Sequence, residues 1–247
     1  MSFTLRNAQL SQTLYLGDQP ITATEVTRLD PNRTVYRVKI EPFGDLPQTI
    51  IVKNQKEGWL EEFQQEIQAY EKLKKLQGTV IPQFFGQGFF NGFPALILSE
   101  VIGITLYDLA RSKSDIQEDI LKTQLEKVFN LISEYGAVYW DQKVDNFLFC
   151  EDENCGDGKV MIVDLEQVQF PDKFRSWELE VNPDGAYSLM TDFTYIRRPN
   201  RGPSPVHFWV VKPGDCKNKN TWKPTEPRGL ANLKGQGENE VSKNVAA

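Results

Sequence analysis

Hydrophobic and polar positions follow strand-like and then helix-like rhythms along the chain. Ile21 to Leu29 and Thr34 to Ile40 are rich in Val, Thr and Ile, the composition of strands. Asp30-Pro31-Asn32-Arg33 between them is a turn signal. After the turn at Gly44-Asp45-Leu46-Pro47, Thr49-Ile50-Ile51-Val52-Lys53 reads as a third strand, so the three form an antiparallel meander. The period then changes. Leu60, Phe63, Ile67, Tyr70, Leu73 and Leu76 fall at helix spacings and predict a helix over 60–76, with Gly78 as its stop. Glu66 lies beside this apolar stripe, where its carboxylate either points toward the sheet or faces solvent like Glu61 and Glu62.

The rhythm returns to strand after Pro82. Residues 79–88 form a loop and short strand, Asn91-Gly92 is a hairpin signal, and Phe93 to Leu98 is the next strand, ending at Ser99-Glu100-Val101. Ile104 to Arg111 reads as a short helix. A longer amphipathic helix spans Ile116 to Tyr135, with Ile120, Leu121, Leu125, Val128, Phe129 and Ile132 on one face and Gly136 after it. Asn146 to Cys150 and Val160 to Val163 are two strands joined by an acidic turn, Glu151 to Gly158. Beyond Phe170 the pattern weakens and Pro171, Pro183, Pro199, Pro203 and Pro205 punctuate it. From about Lys212 the chain is rich in Gly, Asn, Lys and Pro, which predicts tail or disorder.

Composition narrows the chemistry. Hydrophobic content of 40% and charged content of 25% are those of a soluble globular protein. No secretory leader is visible, and the longest apolar region, Phe93 to Ala110, is interrupted by Ser99, Glu100 and Asp108 and is a poor membrane span. Cys150, Cys155 and Cys216 contain no CxxC pair, so a reduced, cytoplasmic setting is expected. With only His207 present, a multi-histidine metal site is excluded. Net charge is −6, unevenly spread. From residue 197 onward there are 10 Lys and Arg against 4 Asp and Glu, and before it 18 against 30. A basic segment of this kind either meets an anionic partner or is a solvated tail.

The candidate chemistry lies in Tyr139-Trp140-Asp141-Gln142-Lys143-Val144-Asp145-Asn146 and in Val163-Asp164-Leu165-Glu166. An Asp, an Asn and a second Asp brought together by a hairpin can hold a divalent cation and a phosphate-bearing ligand, and such oxygen ligands suit Mg²⁺. The plain alternative is two turns with surface acids.

These elements, in this order, resemble the protein-kinase-like fold from about Ile21 to Phe170. Val52-Lys53 is similar to the end of the VAIK strand, Glu66 to its ion-pair partner, and Ser99-Glu100-Val101 to the hinge. Asp141 through Asn146 keeps the Asp-to-Asn spacing of HRDxxxxN, and Asp164 is similar to the Asp of DFG. The resemblance implies an α+β, two-lobed fold with a shortened helical second lobe. The expected division is a strand-rich lobe over 1–100, a shortened helical lobe with the catalytic loop over 101–196, and a basic, partly disordered tail over 197–247. It also implies ATP and Mg²⁺ as cofactors. Lys53 would neutralise phosphates and Glu66 orient it. Glu100 and Val101 would meet adenine through their backbone, and Asn146 and Asp164 would hold the metal. Asp141 would position or deprotonate an acceptor hydroxyl, and Lys143 would stabilise the transferring phosphoryl.

The departures are specific. The first turn has no glycine, Tyr139 and Trp140 replace the His and Arg of HRD, Glu166 replaces the glycine of DFG, and no APE follows. They favour a small-molecule acceptor over a protein. The pattern also resembles small kinase-like proteins of fungi. In that neighbourhood are the fungal arginine-containing cyclodipeptide synthases of secondary metabolism, which use aminoacyl-tRNA and a DDxxE signature absent from this chain. The basic C-terminal segment, with Phe208, Trp209 and Trp222, would suit tRNA. Three readings therefore stand: a phosphotransferase, a tRNA-dependent synthase, and a pseudokinase binding module that keeps Lys53 and Glu66 as a structural pair.

Overall fold

In a computed structural model, residues 13–198 are described, apart from 32, 113, 115 and 152–157. Six antiparallel strands come first: β1 (Thr13–Leu16), β2 (Gln19–Arg28), β3 (Val35–Ile40), β4 (Thr49–Asn54), β5 (Phe84–Phe90) and β6 (Phe93–Ser99). They pair in the order β1-β2-β3-β4-β6-β5, and β1 pairs back onto β5, so the sheet is a closed barrel. The expected five strands are thus six. The short β1 supplies the closure, with Leu14 opposite Phe90 and Leu16 opposite Gly88. Asn91 and Gly92 both take positive φ, 51° and 84°, as the tight β5–β6 hairpin demands.

Strand alternation divides the side chains between two apolar clusters. Leu14, Ile21, Val38, Ile40, Ile50, Val52, Phe90, Ala95 and Ile97 fill the barrel. The intervening positions of β4 and β6 face outward, and Leu96 and Leu98 belong to a second cluster with Ile51 packed against it. Helix α1 (Leu60–Lys72) lies in that second cluster, burying Phe63, Ile67, Ala69 and Tyr70. It is shorter than the period implies: a 3₁₀ turn, Lys74–Leu76, takes over before Gly78 at φ 77°.

The second cluster continues through the helical part. β7 (Ile104–Thr105) takes the first two residues of the expected short helix, leaving α2 (Leu106–Arg111), which the Thr105 hydroxyl caps by accepting from the Asp108 amide at 3.0 Å. Next come α3 (Glu118–Glu134), β8 (Val138–Tyr139), β9 (Phe147–Cys150), β10 (Lys159–Ile162) and β11 (Val168–Gln169). β10, β9 and β7 form one small sheet, and β11 pairs with β8 in another.

The weak pattern after Phe170 conceals a 20-residue helix, α4 (Glu178–Arg197). Pro183 lies inside it as the sixth residue, where it removes the amide that would bond the carbonyl four residues back. A Cβ at Gly185 would come within 2.5 Å of the Phe129 ring, so the missing side chain lets α4 close on α3. Ala186, Leu189 and Phe193 complete its buried face. No described helix is long and apolar enough to cross a membrane. The expected tail from residue 199 onward, His207, Cys155 and Cys216 lie outside the described residues.

Candidate functional site

Two charged side chains, Lys53 and Glu66, are buried among the described residues. Lys53 follows Val52 on β4, so it points out of the barrel toward α1, as Ile51 does. Glu66 lies among Phe63, Ile67 and Tyr70 on the buried face of α1 and is fully enclosed. The Lys53 Nζ lies 2.7 Å from Glu66 Oε2, 2.8 Å from Asp164 Oδ1 and 3.1 Å from Glu166 Oε1. Of the two orientations open to Glu66 in the sequence, the structure therefore has the one toward the sheet.

The Asp164-Leu165-Glu166 segment is fixed around this ammonium. Leu165 is fully buried, and its amide donates to Glu66 Oε1 at 3.3 Å. The Glu166 amide donates to Asp164 Oδ1 at 3.2 Å. Lys56 grips Glu166 through both carboxylate oxygens, at 2.9 and 2.8 Å. The residue in the place of the DFG glycine is thus an ion-pair partner of two lysines.

Protonation follows from this crowding. Burial opposes the charge on Lys53, but Glu66, Asp164 and Glu166 together outweigh it and raise its pKa well above the ordinary value. Burial pushes the Glu66 carboxyl up to about 7, against the attraction of Lys53 and with added repulsion from Asp164. Burial also acts on Asp164, yet Lys53, the Glu166 amide and Lys56 hold its pKa below the usual value. Lys53 and Asp164 are therefore charged at neutral pH. Ligand oxygens of Glu66, Asp164 and Glu166 lie within 4.8 Å of one another, an oxygen-only donor set suited to a hard divalent cation.

The Asp141–Asn146 loop is built beside this cluster by strand pairing. Tyr139 on β8 faces Val168 on β11, and the Trp140 amide donates to the Gln167 carbonyl. At its other end the Val163 amide donates to the Asn146 carbonyl at 3.0 Å, so the loop and the Asp164 segment run side by side. Within the loop, Asn146 Nδ2 donates to Asp141 Oδ2 at 2.8 Å and to the Asp141 carbonyl at 3.0 Å. Lys143 Nζ lies 2.7 Å from Asp141 Oδ1. The Asn146 Nδ2 thus donates twice to Asp141, and its Oδ1 is the oxygen that could serve a metal. At the end of β6, Glu100 is paired at 2.5 Å with Arg37 of β3, and Val101 beside it is half-buried.

Two further residues support the loop. Asn182 of α4, 4% exposed, accepts from the Tyr139 amide at 3.0 Å and donates to the Ala137 carbonyl at 2.7 Å and to Ser133 Oγ at 2.8 Å. Gln142 donates to the Tyr139 and Val181 carbonyls at 3.0 and 2.8 Å. Tyr139 and Trp140 provide packing: Tyr139 meets Phe147 edge-on, and Trp140 leans on Trp177.

No protein-family model matches the sequence, and no curated protein matches it. Solved structures do. The kinase domain of Mycobacterium tuberculosis PknI superposes with a TM-score of 0.52 at 15% identity, over 75% of this chain and 79% of that one. A single-substitution form of the same domain gives 0.53 at 13% identity, over 76% of each chain. The chain has a protein-kinase-like fold. At such identities the likeness concerns the fold alone. The closed barrel is its main departure, since a kinase N-terminal sheet is open. Within this kinase-like fold, six of the residues singled out from sequence occupy two bonded groups, Lys53, Glu66 and Asp164 in one and Asp141, Lys143 and Asn146 in the other, while Glu100 and Val101 belong to neither. Glu166 as an ion-pair partner, Lys56, Gln142 and Asn182 were not foreseen. Only Glu166 had a signal, as an acid two residues after Asp164 where a glycine was expected.

Proposed function

We propose that the chain is an ATP- and Mg²⁺-dependent phosphotransferase that acts on a small-molecule hydroxyl. The observation that carries this reading is the Lys53–Glu66–Asp164 contact, joined through the Val163–Asn146 hydrogen bond to the loop holding Asp141. Burying the lysine and the glutamate in one contact costs desolvation of both charges, which a role in binding phosphate would justify.

Lys53 would face the phosphates of the nucleotide, with Glu66 setting its position, and the backbone at Glu100 and Val101 would meet the base. Asn146 Oδ1 and Asp164 would hold the Mg²⁺, which supplies charge neutralisation at the transferred group. Asp141 is exposed enough to accept a proton from an acceptor hydroxyl, and its bond from Asn146 fixes its direction. Lys143, paired with Asp141, would shield charge developing on the phosphoryl group. The compact helical part favours a small acceptor: among the described residues α4 packs against both α2 and α3.

A pseudokinase is the second reading. It is favoured by Lys53 being ringed by three carboxylates, which a nucleotide has to displace. The tRNA-dependent alternative leans on the basic segment outside the described residues, and no observation favours it. Thermal unfolding with Mg²⁺-ATP separates the first two. At about 100 times its dissociation constant, a ligand of the native state adds about 2.7 kcal/mol, which is several degrees. Such a shift, together with ATP turnover that Asp141→Ala removes while keeping the wild-type melting temperature, is the expected result. No shift with or without Mg²⁺ refutes the phosphotransferase. A shift without turnover leaves the pseudokinase.

A further inference from the structure

The turn between β2 and β3 lies where a kinase-like fold would place glycines whose amides cradle phosphates, and here it contains Pro31 and no glycine. It contains Arg33 instead. The backbone of Arg33 is fixed on both sides: its amide donates to the Asp30 carbonyl at 3.1 Å, and its own carbonyl accepts from Arg28 Nε at 2.9 Å. Its guanidinium reaches across to the Asp141–Asn146 loop, where Nη2 lies 3.7 Å from Asp145 Oδ2. Asp145 belongs to the 3₁₀ turn Val144–Asn146 and so adjoins the asparagine bonded to Asp141.

Two features separate this pair from an ordinary structural ion pair. Its contacts are long: Nε of Arg33 lies 3.6 Å from Asp30 and Nη2 lies 3.7 Å from Asp145, both beyond good hydrogen-bond length. All three side chains keep between 41% and 45% of their surface in water. A pair of that exposure contributes little to stability. The arginine is held over the Asp141–Asn146 loop without being committed to either acid. A planar guanidinium suits phosphate oxygens better than a single lysine charge does.

We propose that Arg33 is a phosphate-binding side chain of this site, replacing the turn amides that the sequence cannot supply, and that Asp145 holds its guanidinium in place until a nucleotide polyphosphate displaces the carboxylate. This rests on the phosphotransferase reading, and it adds a specificity: recognition weighted toward the phosphates over the nucleoside. The two carboxylates beside Arg33 also set a sign. Neutralising Asp145 removes a competitor for the guanidinium and a charge that repels the ligand.

Calorimetric titration of Mg²⁺-ATP and of adenosine into the wild type, Arg33→Ala, Arg33→Lys and Asp145→Asn tests the assignment. Arg33→Ala should weaken Mg²⁺-ATP about tenfold or more, the loss expected for a charge-assisted contact, and leave adenosine unchanged. Arg33→Lys should fall between it and the wild type. Asp145→Asn should bind Mg²⁺-ATP more tightly than the wild type. An Arg33→Ala protein that binds Mg²⁺-ATP as the wild type does, or that loses ATP and adenosine equally, overturns the role of Arg33 while leaving the phosphotransferase standing. Weaker ATP binding by Asp145→Asn overturns the placeholder role. A wild type that binds no nucleotide overturns both this assignment and the reading beneath it.

Discussion

Glu66 and Asp164 touch the same ammonium, yet their carboxyl groups are displaced in opposite directions. Glu66 is sealed between α1 and the sheet, where lost hydration outweighs the attraction of Lys53. Asp164 gains more from Lys53, Lys56 and a backbone amide than it loses by burial. The consequence for stability has a definite sign. A carboxyl at about 7 in the folded protein and at its ordinary value of 4.5 when unfolded binds more protons in the native state between those values. Its contribution is therefore complete below about 4.5 and is lost as pH rises through 7. Asp164 works the other way, contributing above its ordinary value and losing that contribution as pH falls through its depressed one. Denaturant unfolding of the wild type and Glu66→Gln at pH 5 and pH 8 isolates the first effect. The wild type should lose stability relative to the variant as pH rises. A difference that is flat with pH would mean that Glu66 is ionised throughout. The ion pair itself was expected from the resemblance of Val52-Lys53 and Glu66 to the kinase pair, while the apolar stripe alone left Glu66 facing either the sheet or solvent. The direction of the Glu66 shift was not, because it depends on complete enclosure by residues far apart in the chain.

At the scale of elements, legibility follows period. β2, β3, β4, α1 and α3 announce themselves by repeated apolar positions. β1 has four residues, too few for a pattern to emerge, and yet it closes the barrel. α4 was hidden for a different reason: Pro183 reads as a breaker, and its polar anchor Asn182 carries no apolar signal. The structure uses both, and Gly185 with them. Pro183 gives up one amide bond in the second turn, Gly185 admits the Phe129 ring, and Asn182 bonds the Tyr139 amide, the Ala137 carbonyl and Ser133 Oγ at the base of the Asp141 loop. Barrel closure has a similar single-residue dependence. A Cβ on Gly88 would stand 1.8 Å from the Tyr15 carbonyl oxygen, a backbone atom that can move only if β1 moves. Gly88→Ala should therefore separate β1 from β5 and destabilise the fold by about 1–3 kcal/mol or more. Hydrogen exchange should show lost protection at the β1 and β5 amides, with α3 protected as before. A variant with wild-type stability and exchange would show that β1 accommodates the methyl group and that closure is not so constrained.

For the molecule as a whole, the apolar clusters decide whether the barrel and the helical part behave as separate lobes. The barrel interior is one cluster. The other is not confined to the helices: it joins Leu96 and Leu98 on the outside of the barrel to α1, α2, α3 and α4. β4 and β6 thus supply residues to both, and the charged contacts of Lys53 with Asp164 and of Lys56 with Glu166 cross in the same place. A strand cannot lose its outward packing and keep its inward packing unaffected, because its side chains alternate on one backbone. Unfolding of the barrel and of the helices should accordingly be a single transition. Leu98→Ala, at the shared face, should cost about 2–5 kcal/mol. Leu14→Ala, which removes packing only inside the barrel, should lower the midpoint seen for the helices as well as for the strands. Far-ultraviolet circular dichroism, and fluorescence in a background with Trp59, Trp209 and Trp222 replaced by Phe so that Trp140 and Trp177 report, give the two readouts. Coincident midpoints in the wild type and in both variants are expected. A helical transition that stays in place while Leu14→Ala melts the barrel early would make the two parts independent, and the shared strands would then be a contact between domains and not a common core.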